Sequence, residues 1–389
     1  VRRLVAGWVA LAIGWWPPAA RAGSPEQRAA WTASPIALDL GGLDPLERDA
    51  LARCGTGEAG LRATARSILA RKLRGEAMPE LDAIAAAQRE AGEPHPWPRA
   101  WAVMGRELGP AVIAKLDSWL ASGRDDARLR RCGVAVGAAA DGRRALVVVA
   151  VDALADLAPL PVFVRTGQWL SVEATMRVEA RGARVFAVGP GGAPRTLLAS
   201  FDGRTLRARF APDRPGEFAV QVIADLAGGP RPVLEATVFA DVAPPTRDDP
   251  RPAPGEDSGG VAGCDDDRLA RMVSAARASA GLPPLARDPR LDAIAREHAE
   301  RMARARQLAH DVGDGDPFER LRAAGLDAED VGENVAHAAT LALAHRAIWA
   351  SPSHRANVLR SDFDRLGVAV ARDERGDAWV VETFAGGLR

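Results

Sequence analysis

The chain has 389 residues, 47% hydrophobic and 26% charged, with 51 basic side chains against 51 acidic. That length exceeds one ordinary core, so two or three domains are expected, and the composition excludes a disordered chain. The charge balance provides no electrostatic footprint for nucleic acid or an anionic membrane as partner.

Arg2 and Arg3 precede Leu4 to Trp16, thirteen residues without a charge, and then come Pro17, Pro18 and Ala20-Arg21-Ala22. The pattern predicts a secretory signal peptide over residues 1–22, cleaved after Ala22. Its apolar stretch is shorter than the roughly 20 residues a bilayer requires, and no later segment reads as a transmembrane span. The expected location is therefore secreted or periplasmic, where disulfides can form. Of three cysteines, Cys54 and Cys132 fall in one N-terminal unit and Cys264 lies beyond a linker. A Cys54–Cys132 disulfide and a free Cys264 are expected.

Residues 43–152 read as a mostly helical unit ending in a hairpin. Leu61, Ala65, Ile68 and Leu69 recur at helix spacing, as do Val112, Leu116, Trp119 and Leu120. His95 sits among prolines and reads as a loop residue. From Val134 the period changes to two. In "WLSVEATMRVEA" Leu170, Val172, Ala174, Met176 and Val178 share one face, the mark of a half-buried antiparallel strand. Short strands with Gly and Pro between them predict an immunoglobulin-like β-sandwich over 157–242. Residues 243–263 hold five prolines and four glycines without apolar period and read as a linker.

The segment 264–389 starts with a helix whose apolar positions are Leu269, Met272, Val273 and Ala276. Asp288-Pro289 and Asp316-Pro317 are helix starts, a capping carboxylate followed by proline at the first helical position. Leu341 to Trp349 is helical, and "LGVAVAR" with "DAWVVETFA" reads as a closing β-hairpin. "CGVAVGAAADGRRALVVVAVD" (132–152) echoes "LGVAVARDERGDAWVVETFAG" (366–386), so 43–152 is readable as a diverged copy of the C-terminal domain; any short amphipathic hairpin would give a similar echo.

Five of the six histidines lie after the linker. His298 and His345 sit on apolar helix faces and read as packing, while His337 follows Glu333 by four in a loop or first turn and stays open. His310 comes where a helical pattern runs out. His354 follows Ser351-Pro352, in the first turn of a helix, where the dipole favours a neutral ring. Two histidines and a glutamate can hold Zn²⁺ with one position open to water, although a polar core network would use the same residues.

"RMVSAARASAGLPPLARDPRLDAIAREHAERM", "LAH", "GENVA", "ASPSHRANVL" and "FDRLGVAVA" together resemble the CAP superfamily (cysteine-rich secretory, antigen 5 and pathogenesis-related 1 proteins), in its bacterial SCP-domain branch. The resemblance implies an α-β-α sandwich with a polar cavity. It assigns His310, Glu333 and His354 to that cavity as metal ligands and places Ser351 where a second acid is usual. It implies a secreted, cavity-bearing domain and fixes no activity; the first reading is a non-catalytic secreted or periplasmic binding protein taking a divalent cation such as Zn²⁺, weakly, and a small, lipidic or cell-envelope ligand. The alternatives are a metal-dependent hydrolase using the same cavity and a structural envelope protein with a vestigial cavity. The fold expected for the whole chain is multidomain α+β.

Overall fold

A computed structural model describes residues 30–31, 42–79, 81–121, 128–245, 251–260 and 263–389. The expected signal peptide lies outside the described residues. Ahead of the first unit stands strand β1 (Ala30–Trp31). The unit then runs α1 (Pro45–Cys54), β2 (Thr56–Gly57), α2 (Ala59–Leu73), α3 (Leu81–Glu90), β3 (Arg99–Gly105), α4 (Pro110–Ala121), β4 (Arg130–Ala138) and β5 (Arg144–Asp152). Asp44 caps α1 in a capping box with Glu47. The sheet has order β2-β4-β5-β3, with β2 parallel to β4 and the other pairs antiparallel. One face packs α1 and α4 through Leu51, Val112 and Leu116 on Val134 and Val148. The other packs α2 through Leu61, Ala65 and Ile68 on Val147 and Val149. The helices and the closing hairpin β4–β5 stand where they were expected, and β2 and β3 extend the hairpin to a four-stranded sheet. The missed strand β3 is an edge whose residues are all half-buried, so it carries no alternation to read. Cys54 and Cys132 are disulfide-bonded, with Cα atoms 6.1 Å apart, and Cys264 is free and exposed.

The middle unit contains β6 (Ala155–Leu157), β7 (Leu160–Pro161), β8 (Phe163–Val164), β9 (Leu170–Met176), β10 (Gly182–Val188), β11 (Pro194–Leu197), β12 (Ala199–Phe201), β13 (Thr205–Phe210), β14 (Gly216–Leu226) and β15 (Gly229–Ala240). Two sheets, ordered β12-β13-β9-β6 and β11-β10-β14-β15-β8, share one core, and β1 pairs with β7 at its margin. Leu170, Val172, Ala174 and Met176 all point into that core. The β14–β15 ladder is long and ends in a tight turn at Leu226–Gly229.

The C-terminal half of the expected linker is not a free tether. Residues 251–260 end in a 3-10 turn, Glu256–Gly260. They lie against the next unit: the Pro254 carbonyl is 3.0 Å from His345 Nε2, and Glu256 takes both arms of Arg346. The last unit is α5 (Asp265–Ser279), β16 (Ala286–Arg287), α6 (Pro289–Ala305), α7 (Pro317–Ala323), β17 (Asp330–Ala338), α8 (Leu341–Ala350), α9 (Pro352–Val358), β18 (Arg365–Arg372) and β19 (Ala378–Gly386). Its sheet order is β16-β18-β19-β17, with β16 parallel to β18 and β17 at the edge. Helices α5 and α8 cover one face through Leu269, Val273, Ala344 and Ile348, and α6 covers the other through Ala295, Ala299 and Met302. The first and last units therefore have the same strand order and the same parallel and antiparallel pairings.

Candidate functional site

Glu333 lies in edge strand β17, as does His337, which was expected in a loop or first turn, and Glu333 faces α6 through His298. His310 Nδ1 is 2.9 Å from its Oε1. Arg320, on α7, donates to its Oε2 and also to the carbonyls of His310 at 2.8 Å and Gly315 at 2.5 Å. His298 was expected in plain packing, yet its Nε2 is 3.8 Å from Glu333 Oε1 while its Nδ1 meets Asp314 Oδ2 at 2.8 Å. Burial alone would raise the Glu333 pKa. The hydrogen bond from His310 and the charges of Arg320, His310 and His298 outweigh it and hold the carboxyl below its ordinary value.

His354 stands on α9 beside the open edge of β17. Burial pushes its pKa down to about 3, with His310 adding to the fall and Glu333 opposing it, so the ring is neutral. His310 and Glu333 meet directly, and His354 is tied to Glu333 through the backbone and the asparagines of β17 and α9. Two asparagines hold α9 there. Asn334 Nδ2 donates to the His354 carbonyl at 3.1 Å and to Glu382 Oε2 at 2.9 Å. Asn357 Nδ2 donates to the Glu333 carbonyl at 3.1 Å and to Asn334 Oδ1 at 2.9 Å. Arg320, Asn334 and Asn357 were not picked out from the sequence. The two asparagines stand inside "GENVA" and "SHRANVL" and were readable there, whereas Arg320 on a short polar helix looks like a solvated side chain.

Ser351 does not complete an acidic set. Its hydroxyl meets Gln221 of β14, whose Nε2 donates to Ser351 Oγ at 3.0 Å and to Glu235 Oε1 at 2.7 Å. Gln221 Oε1 accepts from the Ser353 backbone N–H at 3.0 Å, so the middle unit caps α9 in place of Ser351. The β14–β15 turn also reaches the cluster. A Cβ placed on Gly229 would stand 3.3 Å from His310 Cβ, and Gly229 has φ +100°. His345 is buried as packing on α8.

The donor set does not suit a divalent cation between His310, Glu333 and His354. Both Glu333 oxygens are already engaged, and the Arg320 guanidinium supplies the positive charge. Among the described residues, the one group whose ligand atoms all lie within 4.8 Å of one another is His337, Asp373 and Asp377. A separate cleft of about 680 Å³ lies in the first unit, between α1 and the start of α4, lined by Asp49, Arg53, Ile113 and Asp117 among others.

A family model described as the cysteine-rich secretory protein family, CAP, matches residues 270–384. Among solved structures, an outer surface protein from Borrelia burgdorferi is 22% identical, with 32% of this chain and 92% of that one covered and a TM-score of 0.30. An extracellular protein containing an SCP domain from Bacillus anthracis is 19% identical over 56% of this chain, with a TM-score of 0.28, and this chain spans 64% of its length. A cysteine-rich secretory protein from Staphylococcus aureus is 13% identical over 60% of this chain and 85% of that one, with a TM-score of 0.27. No curated protein matches.

Proposed function

We propose, from the match of residues 270–384 to the CAP family model, that the chain is an exported, non-catalytic binding protein. Its ligand, small or lipidic, binds at the His310–Glu333–His354 cluster, beside the β14–β15 turn of the sandwich. One observation carries the reading: Gly229 stands so close to His310 that the sandwich forms a wall of the site. His310 has 16% of its side chain open to solvent, and the rings of His310 and His354 offer hydrogen bonds to a polar head group. Hydrolysis is the weaker reading, because Glu333 is tied to Arg320 and no second carboxylate is free beside it as a base. A cation at this cluster is not part of the proposal, for the reason of fit given above.

Export is supported by the sequence pattern of residues 1–22. Among the described residues no helix is long and apolar enough to cross a membrane. We read the sandwich as immunoglobulin-like, because its two sheets follow the order expected of that fold, with β8 running parallel to β15. We read residues 43–152 as a diverged copy of the CAP fold on the strength of the shared strand order.

The test is titration of the full chain with a fluorescent long-chain fatty acid. Saturable binding is expected, weakened at least tenfold in Gly229→Trp, whose side chain must displace His310, and in His310→Ala. Absence of saturable binding, or equal binding in both variants, overturns the reading.

A further inference from the structure

The hairpin β18–β19 turns at Asp373–Asp377, and the far end of β17 brings His337 to it. Counted along the strand at about 3.3 Å per residue, His337 stands about 13 Å from Glu333, outside the cluster described above. His337 Nε2 is 3.9 Å from Asp373 Oδ2 and 3.6 Å from Asp377 Oδ2. That nitrogen is buried and has no hydrogen-bond partner, an unusual state for an imidazole held between two carboxylates.

The surroundings fix the three groups. The His337 ring stacks on Trp379 with centroids 4.1 Å apart, and Trp379 Nε1 donates to Asp373 Oδ2 at 3.2 Å. Asp373 Oδ1 accepts the backbone N–H groups of Arg375 at 2.9 Å and Asp377 at 3.1 Å, which leaves Oδ2 turned to the histidine. The Arg375 guanidinium lies 3.1 Å from Asp377 Oδ2 and 4.0 Å from Asp373 Oδ2, on a side chain that is 75% exposed. It balances the carboxylates from the solvent side and can leave into water at little cost.

We propose that His337, Asp373 and Asp377 form a site for a divalent cation of the Zn²⁺ class, closing the β18–β19 turn onto the edge strand β17. The spacing suits it. Two ligand atoms about 2.1 Å from a tetrahedral ion stand about 3.4 Å apart, so the 3.9 and 3.6 Å separations close onto an ion with a shift of a few tenths of an ångström, and all three ligand atoms lie within 4.8 Å of one another. One imidazole and two carboxylates favour zinc over calcium or magnesium, which take oxygen alone. The remaining coordination is open to water on the exposed side.

The experiment is calorimetric titration of Zn²⁺ into the full chain carrying Cys264→Ser, which removes the exposed thiol as a competing ligand. One equivalent is expected to bind. His337→Gln and Asp377→Asn should each weaken binding at least tenfold, with far-UV circular dichroism unchanged. Arg375→Ala should tighten it a few-fold by removing the resident guanidinium. Binding should persist in His310→Ala. Absence of zinc binding in the parent, parent-like affinity in all three hairpin variants, or loss of binding in His310→Ala would each overturn the proposal.

Discussion

Glu382 sits in the middle of β19, fully buried, with its Oε2 accepting from Asn334 and its Oε1 without a hydrogen-bond partner. Burial raises its pKa to about 7 against the Asn334 hydrogen bond that lowers it. The folded state therefore holds a proton there that the unfolded chain gives up above the ordinary glutamate value of 4.5. Between those values stability falls as pH rises, and the penalty is complete above about 7. Glu382→Gln should stabilise the protein by up to about 3 kcal/mol at pH 8 and change little at pH 4, read from denaturant midpoints. His354 acts with the opposite sign. Its folded pKa of about 3 lies below the unfolded 6.5, so its contribution is lost as pH falls through that window. His354→Gln should flatten the acid limb below pH 6.5. Of these groups, His310, Glu333 and His354 were readable as a cluster because each sits in a recognisable motif. Glu382 was not, since a glutamate in a strand that alternates as "DAWVVETFA" reads as one more polar position until the sheet is seen to be covered on both faces.

Helix α9 is seven residues long, too short to stand alone, and its start is fixed by residues 130 positions away. Ser351-Pro352 reads as a self-capped start, and proline does occupy its expected place. The cap itself comes from Gln221, because the Ser351 hydroxyl is drawn to the same amide. No local pattern could reveal this, since the donor and acceptor meet only when the sandwich docks. Gln221→Ala leaves the Ser353 N–H and one Glu235 oxygen without partners in a buried contact. A loss of about 1–3 kcal/mol is expected. Hydrogen exchange at Ser353 should quicken while the sandwich strands keep their protection; unchanged exchange at Ser353 would mean that the helix is capped without the sandwich. Helix starts that rest on adjacent residues were legible by contrast. Asp288 accepts from the Arg290 N–H and Asp316 forms a capping box with Glu319, each followed by proline.

At the scale of the whole molecule, two α/β units flank the sandwich and use the same device at the same place. Gly133, second in "CGVAV", lets the first turn of α2 lie on β4: a Cβ there would overlap the Leu61 carbonyl group. Gly367, second in "LGVAV", does the same for α6, where a Cβ would overlap the Leu291 backbone. Leu61 and Leu291 are each the third residue of their helix. Gly133→Ala and Gly367→Ala should each destabilise their own unit by several kcal/mol, since backbone and not a flexible side chain stands in the way. The units differ in what holds the neighbouring position. Leu366 is buried in the last unit's core, whereas Cys132 in the first is bonded to Cys54 at the end of α1. That bond closes a 78-residue separation and contributes about 4 kcal/mol in the chain-entropy model. Reduction with dithiothreitol should therefore lower the melting transition of the first unit and leave that of the CAP domain in place, resolved by scanning calorimetry on the wild type and on Cys54→Ser/Cys132→Ser. A common shift of both transitions would instead mean that docking through Gln221 and the Pro94–Glu235 backbone hydrogen bond couples all three units into one cooperative fold.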